Sequence, residues 1–295
     1  ALRAISPSPD LWDATHDAAL EWVVANIQHS QTRVFLDLTK KVHVIADSSD
    51  LGTAASIGQT SIEAMLVLAG GQAFPSDFGT FLAPNISPDP EAGIGGWTVE
   101  TFAYAIQAGL SPEGEHYFPA LPYAAYNKMV PQDVVNLKAY MDGLPKSQAA
   151  SQPHQVGFPF NIRRTLGLWK LMFVRQDFVV QGDLTPDQTR GRYIAEALAH
   201  CGECHTPRNA LGGLDTARWL GGAPDPSGKG TIPNITPAKL SWSEDEIVEY
   251  LTSGFTPDYD SVGGHMAHVV ENMSKLPESD RRAIAAYLKV VPAVD

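Results

Sequence analysis

The sequence predicts an all-α chain built as two tandem copies of one helical domain. Three observations carry this prediction. A length of 295 residues suits two domains of ordinary size. The clearest apolar patterns have helical spacing. And GGWTVETFAYAIQAGL, residues 95–110, is answered by LSWSEDEIVEYLTSGF, residues 240–255. Trp97 pairs with Trp242 and Gly109 with Gly254, each 145 residues apart; Pro131, Tyr140 and Pro145 then pair with Glu278, Tyr287 and Pro292 at an offset of 147. PNIS at 84–87 answers PNIT at 233–236. These correspondences divide the chain into a first copy over 1–150, a linker over 151–184 and a second copy over 185–295.

Each helix has its own local reason. The first ends at Gly109 and another runs through Tyr140. NIRRTLGLWKLMF is a linker helix expected to seat across both domains, with Arg163 and Arg164 available to the carboxylates of a cofactor or of a partner. In RGRYIAEALAH, the residues Tyr193, Ile194, Ala197 and Leu198 fall on one helical face. Ser241 or Ser243 caps the next helix, acidic residues fill its first turn and Gly254 stops it. The last helix presents Ile284, Tyr287 and Leu288 on one side. With 25 Gly and 22 Pro, much of the remaining chain must be turns and loops.

Charge narrows the function. A net charge of −12 disfavours nucleic acid and anionic membrane surfaces, and favours docking on a basic patch of another protein. No apolar run reaches the ~18 residues that a membrane-spanning helix needs.

The only two cysteines lie in HCGECHTPRN, residues 200–209. Two cysteines cannot make a disulfide framework, and a structural zinc site lacks its second ligand pair. A thioredoxin-like pair has no use for His205 and lacks its βαβ setting. C-x-x-C-H is the attachment signature of haem c. Two thiols three residues apart reach two carbons on one porphyrin edge, and the next residue, His205, sets its imidazole under the iron. A second axial ligand is then needed. VGGHMAHVVENMSK offers Met266, 61 residues after His205, with His265, His268 and Met273 as alternatives. Ligation by Met266 and His205 leaves no open iron position, which favours electron transfer over chemistry on a substrate. The competing reading is a haem enzyme with an open sixth site, peroxidase-like or oxidising a small molecule.

RGRYIAEALAHCGECHTPRNALGG, PNIT, GGHMAHVVENMSKL and FPFNIRRTLGLWKLMF together resemble the cytochrome c subunits of bacterial membrane-bound dehydrogenases, of the alcohol, gluconate and sorbitol types, from about residue 70 onward. The resemblance implies tandem cytochrome c domains in a periplasmic electron carrier, its export signal already removed, whose partners are a dehydrogenase subunit, another cytochrome or an oxidase. It also implies, by analogy with single-domain cytochromes, that the Pro233 carbonyl accepts the Nδ1 proton of His205. Arg208 is a candidate partner of a haem propionate and Trp242 a candidate for the haem edge.

In that family each domain usually carries its own C-x-x-C-H, and this chain has one. At an offset of 145 the motif falls on SIGQT, with Ser56, Gln59 and Thr60 in place of Cys201, Cys204 and His205, and Leu121 in place of Met266. His116 and Met129 survive nearby as alternative ligands. The expectation is one covalent haem c, in the second copy, and a haem-less first copy whose haem space is refilled by Met65, Leu66 or Leu68.

Overall fold

The computed structural model describes residues 68–225 and 230–295. Residues 68–74, 79–102 and 130–156 form one compact unit, and residues 75–78, 103–129 and 157–295 form another. Segment 103–129, which the repeat places in the first copy, thus belongs by its contacts to the second unit. SIGQT, Met65 and Leu66 lie outside the described residues.

Helices dominate: α1 (Val99–Ala103, continued by a π turn over Tyr104–Ala108), α2 (Tyr123–Tyr126), α3 (Pro131–Asp142), α4 (Thr165–Phe173), α5 (Pro186–Tyr193, continued by a π turn over Ile194–Leu198), α6 (Gly202–His205), α7 (Glu244–Ser253), α8 (Gly264–Met273) and α9 (Glu278–Leu288). The fold is not purely helical. Short strands β1 (Ala73–Ser76), β2 (Gly79–Leu82) and β3 (Gln155–Val156) form one small sheet, and β4 (Ala223–Pro224) pairs antiparallel with β5 (Thr231–Ile232). Strand pairing here satisfies the backbone of loops rich in glycine and proline, which no helix could take up.

The helix ends obey their sequence signals. Ser243 caps α7 with a reciprocal capping box, its hydroxyl accepting from the Glu246 N–H. Gly254 closes the helix in the left-handed region at φ 81°, as Gly109 does at 63° for the first copy. α5 packs against α9 where Gly191 leaves no room for a Cβ beside the Ala283 carbonyl. Ile194, Trp219, Leu220, Ile247, Ile284 and Tyr287 form the centre of the core there.

The two copies share hydrogen bonds as well as sequence. In the first unit, Asn85 Nδ2 donates to the carbonyls of Ser147 and Ala149, both at 2.8 Å. Its Oδ1 accepts from Ser87 N–H at 2.9 Å, and Ser87 Oγ accepts from Ser147 N–H at 3.0 Å. In the second unit, Asn234 Nδ2 donates to the Val294 carbonyl at 2.6 Å and Asn234 Oδ1 accepts from Thr236 N–H at 2.8 Å. Thr236 Oγ1 accepts from Val294 N–H at 3.2 Å. The Asn of each PNI[S/T] motif therefore staples a loop to the chain that follows its copy's last helix.

Leu68 and Leu220 both lie in the left-handed region, at φ 53° and 57°. Their carbonyls accept from Ile86 and Ile235 N–H, each at 3.0 Å. Two residues on, Gly70 and Gly222 have φ 82° and 85°, and a Cβ at either would crowd the backbone of the facing Pro-Asn pair. Leu68 thus stands where the second copy has Leu220, so it is not a filler peculiar to a copy without haem. The offset here is 152 rather than 145, and the matching of SIGQT to the cysteine motif needs seven fewer residues before this turn. After Gly109 and Gly254 the offset settles at 145: Tyr117 N–H donates to Gly109 O and Val262 N–H to Gly254 O, both at 2.8 Å. It becomes 147 by Met129 and Leu276, so Met266 answers to the stretch 119–121, which contains no iron ligand.

Candidate haem site

α5 and its π turn deliver the chain to His200, whose φ of 43° is strained for a side chain bearing a Cβ. The turn is held by Cys201 N–H donating to Ala195 O at 2.9 Å, and α6 begins with His205 N–H on Cys201 O at 3.0 Å. One helical turn therefore carries both thiols and the imidazole. Gly202, between them, lies flat against the Trp219 indole, with no room for a Cβ.

His205 is buried, and its Nδ1 lies 2.8 Å from the Pro233 carbonyl oxygen. A carbonyl only accepts, so Nδ1 carries the proton and Nε2 keeps its lone pair. Burial also pulls the His205 pKa below the usual imidazole value, which keeps the ring neutral. The Pro233 loop is fixed from behind by the Asn234–Val294 staple and by Gly222 N–H donating to the His205 carbonyl at 2.7 Å.

Cys201 is half-buried and Cys204 exposed, and both are free thiols. Burial pushes the Cys201 thiol up to about 12 and raises that of Cys204. Among the described residues no group of three or more His, Cys, Asp or Glu gathers for a metal ion. Two neutral thiols beside one imidazole with a free Nε2 fit a haem attached by thioethers, with a single protein nitrogen offered to its iron.

Met266 lies in the first turn of α8, partly buried against the same core cluster that Cys201, Trp242 and Met273 pack on. His265 and His268 are exposed, and His268 Nδ1 is 3.9 Å from Glu271. Trp242 is half-buried and stacks obliquely on Tyr250, ring centres 5.2 Å apart. Arg208 donates to the Gly212 carbonyl at 2.8 Å and pairs with Glu203. Of the alternative ligands in the first copy, Met129 is a core residue and His116 Nδ1 is engaged by Lys170 Nζ at 3.0 Å.

Sequence reasoning missed a buried network behind the motif. Glu196 is 2% exposed, and its carboxylate accepts from Val179 N–H at 2.6 Å, Val180 N–H at 3.2 Å and Tyr287 O–H at 2.7 Å. Tyr287 Oη in turn accepts from Trp219 Nε1 at 3.0 Å. The network joins the helix that precedes the cysteines, the indole beneath Gly202 and the last helix.

A C-x-x-C-H turn on a helical frame, with its imidazole tied to the carbonyl of a proline loop, defines a c-type cytochrome. The chain belongs to the family of cytochrome c subunits of bacterial dehydrogenases and their dihaem relatives. It is 60% identical over 233 residues to a protein of Cereibacter sphaeroides named diheme cytochrome c-type, a match that covers 79% of each chain. It is 38% identical to the fructose dehydrogenase cytochrome subunit of Gluconobacter japonicus, over 85% of this chain and 52% of that one. To the cytochrome c subunit of alcohol dehydrogenase (quinone) of Gluconobacter oxydans it is 36% identical, over 77% of this chain and 50% of the other. The chain thus spans about half the length of these two dehydrogenase subunits. No protein-family model matches it. Among the described residues no helix is long and apolar enough to cross a membrane.

Proposed function

We propose that this chain is a periplasmic electron carrier with one covalent haem c, acting as the cytochrome subunit or partner of a dehydrogenase. The observation that carries the reading is His205: beside the chain's only two thiols, its Nδ1 is committed to Pro233 and its Nε2 is left for iron. In this reading Cys201 and Cys204 would hold the haem through thioethers, His205 and Met266 would ligate its iron, and Trp242 would line the haem site. Haem supplies reversible one-electron chemistry. The protein's part would be to fix the His205 imidazole, exclude water with the core around Met266, and supply both ligands so that no substrate reaches the iron. Arg208, already engaged with Glu203 and Gly212, serves the fold of the motif in preference to a propionate.

The first copy, in this reading, is a haem-less module that docks a partner or positions the haem-bearing copy. The Cereibacter sphaeroides relative is named for two haems, whereas this chain supplies thiols for one.

The test is the mass of the denatured holoprotein, with carbon monoxide added to the reduced native protein. One haem per chain and no carbon monoxide complex are expected. Two covalent haems, or none, would overturn the stoichiometry. Ready carbon monoxide binding would instead support an open-site haem enzyme.

A further inference from the structure

The cationic segment 157–176, which contains α4, covers part of the first copy, and among the described residues nothing covers the matching part of the second. Lys170 Nζ donates to the carbonyls of Ala108 and Gly109, both at 2.7 Å, where the first copy's helix ends. The same ammonium lies 4.6 Å from the centre of the Tyr123 ring. Arg163 pairs with Glu115 at 3.2 Å and stacks over Phe118. The contact is thus an amine on the carbonyls of a helix C-terminus, a guanidinium on a loop carboxylate and an apolar side chain between them.

The repeat places the polar receiving groups in the second copy. Ser253 and Gly254 stand for Ala108 and Gly109, and Asp260 for Glu115. The two rings have no exposed counterpart: Phe118 falls on Gly263, and Tyr123 on the buried Val270, so Phe255 and Tyr259 supply the apolar surface instead. The backbone agrees. Ser111 N–H donates to Glu115 O at 2.8 Å and Thr256 N–H to Asp260 O at 2.9 Å, and a β-bridge closes each loop, Leu110 with His116 and Phe255 with Ser261. On this second surface Phe255 is 54% exposed, Tyr259 91% and Val269 38%.

Charge selects the occupant. Residues 254–273 contain Asp258, Asp260 and Glu271 and no lysine or arginine. Residues 157–176, the stretch that fills the same role on the first copy, contain Arg163, Arg164, Lys170 and Arg175 and no acid. We infer that the surface formed by Phe255, Tyr259, Asp260 and Val269 is a docking site for a cationic amphipathic helix of a partner protein, seated as α4 is on the first copy. This rests on the internal repeat and not on the haem assignment. The partner's amine would meet the Ser253 and Gly254 carbonyls, its guanidinium Asp260, and its apolar face Phe255 and Tyr259. An acidic surface of this kind repels anionic lipid, so a protein helix is the occupant it fits.

The probe is a fluorescent synthetic peptide with the sequence of residues 160–176, titrated into the full-length holoprotein by anisotropy. Saturable binding is expected at low ionic strength, weakening about tenfold or more in 0.5 M salt as the charges are screened. Phe255→Ser with Tyr259→Ser, and separately Asp260→Asn, should each weaken it about tenfold. All three side chains are exposed, so the circular dichroism spectrum should not change. The proposal is overturned if the peptide does not bind, or if these variants bind it as the parent does. It is equally overturned if the same variants abolish binding to anionic phosphatidylglycerol vesicles while peptide binding persists.

Discussion

Replacing Tyr287 by Phe removes one oxygen from the buried network behind the cysteine motif. The ring stays, so packing is conserved and the loss is purely of hydrogen bonds. Two bonds go at once: the O–H on Glu196 at 2.7 Å and the acceptor for Trp219 Nε1 at 3.0 Å. A hydrogen bond to a carboxylate is worth about 1.5–3 kcal/mol, and a buried indole N–H left without an acceptor costs about 1–3 kcal/mol more. Glu196 keeps its two backbone donors, which limits the damage. The expected loss is about 3 kcal/mol. Guanidinium unfolding of the holoprotein, followed by far-ultraviolet circular dichroism, measures it. Tyr250→Phe serves as the comparison, because that half-buried ring packs on Trp242 and its loss of a hydroxyl should cost less than about 0.5 kcal/mol. A loss below about 1 kcal/mol for Tyr287→Phe would refute the reasoning, since it would mean that water or a neighbour replaces both bonds.

Three further outcomes follow from the geometry. Asn85→Ala and Asn234→Ala each remove the staple of one copy and should each cost about 2–3 kcal/mol in urea melts; a difference of more than twofold between them would argue against equivalent roles. On the proposed ligation, Met266→Ala should leave the haem covalently attached while its reduction potential falls, as spectroelectrochemistry would show, and an unchanged potential would point to Met273, His265 or His268 in its place. His116 has its pKa lowered, first by burial and then by the Lys170 charge, so below the ordinary value of 6.5 the unfolded chain binds a proton that the folded one resists. Its contribution is therefore complete above 6.5 and is lost as the pH falls into the window beneath it, and His116→Gln should flatten the stability profile there, measured by denaturant titration across pH.

Much of the second copy was legible because its signals are local. The cap at Ser243, the stop at Gly254 and the cysteine turn each depend on residues within a few positions of one another, and sequence spacing expresses that directly. Long-range contacts left weaker traces. Glu196 reads in RGRYIAEALAH as one more acid on a solvated helix face, and nothing nearby in sequence announces Val179, Val180 or Tyr287 as its partners. The left-handed turns at Leu68 and Leu220 were hidden because leucine is a poor marker for that conformation, and only the glycine two residues later hints at the turn. The grouping of residues 103–129 with the second unit was also out of reach, because it rests on contacts such as Lys170 with Gly109, made 61 residues apart.

The staple between Asn234 and Val294 also sets an order of events during synthesis. The loop that presents the Pro233 carbonyl is complete once residue 236 has left the ribosome, yet the bonds that brace it wait for residue 294, 58 positions later. Until then the imidazole of His205 has a partner that is not yet fixed in place. The domain can begin to assemble around α5 and the cysteine turn, but His205 gains its final orientation among the last steps, once α9 and the residues after it are made. A protein stalled or clipped before residue 294 would keep every residue of the C-x-x-C-H motif and still hold its histidine loosely.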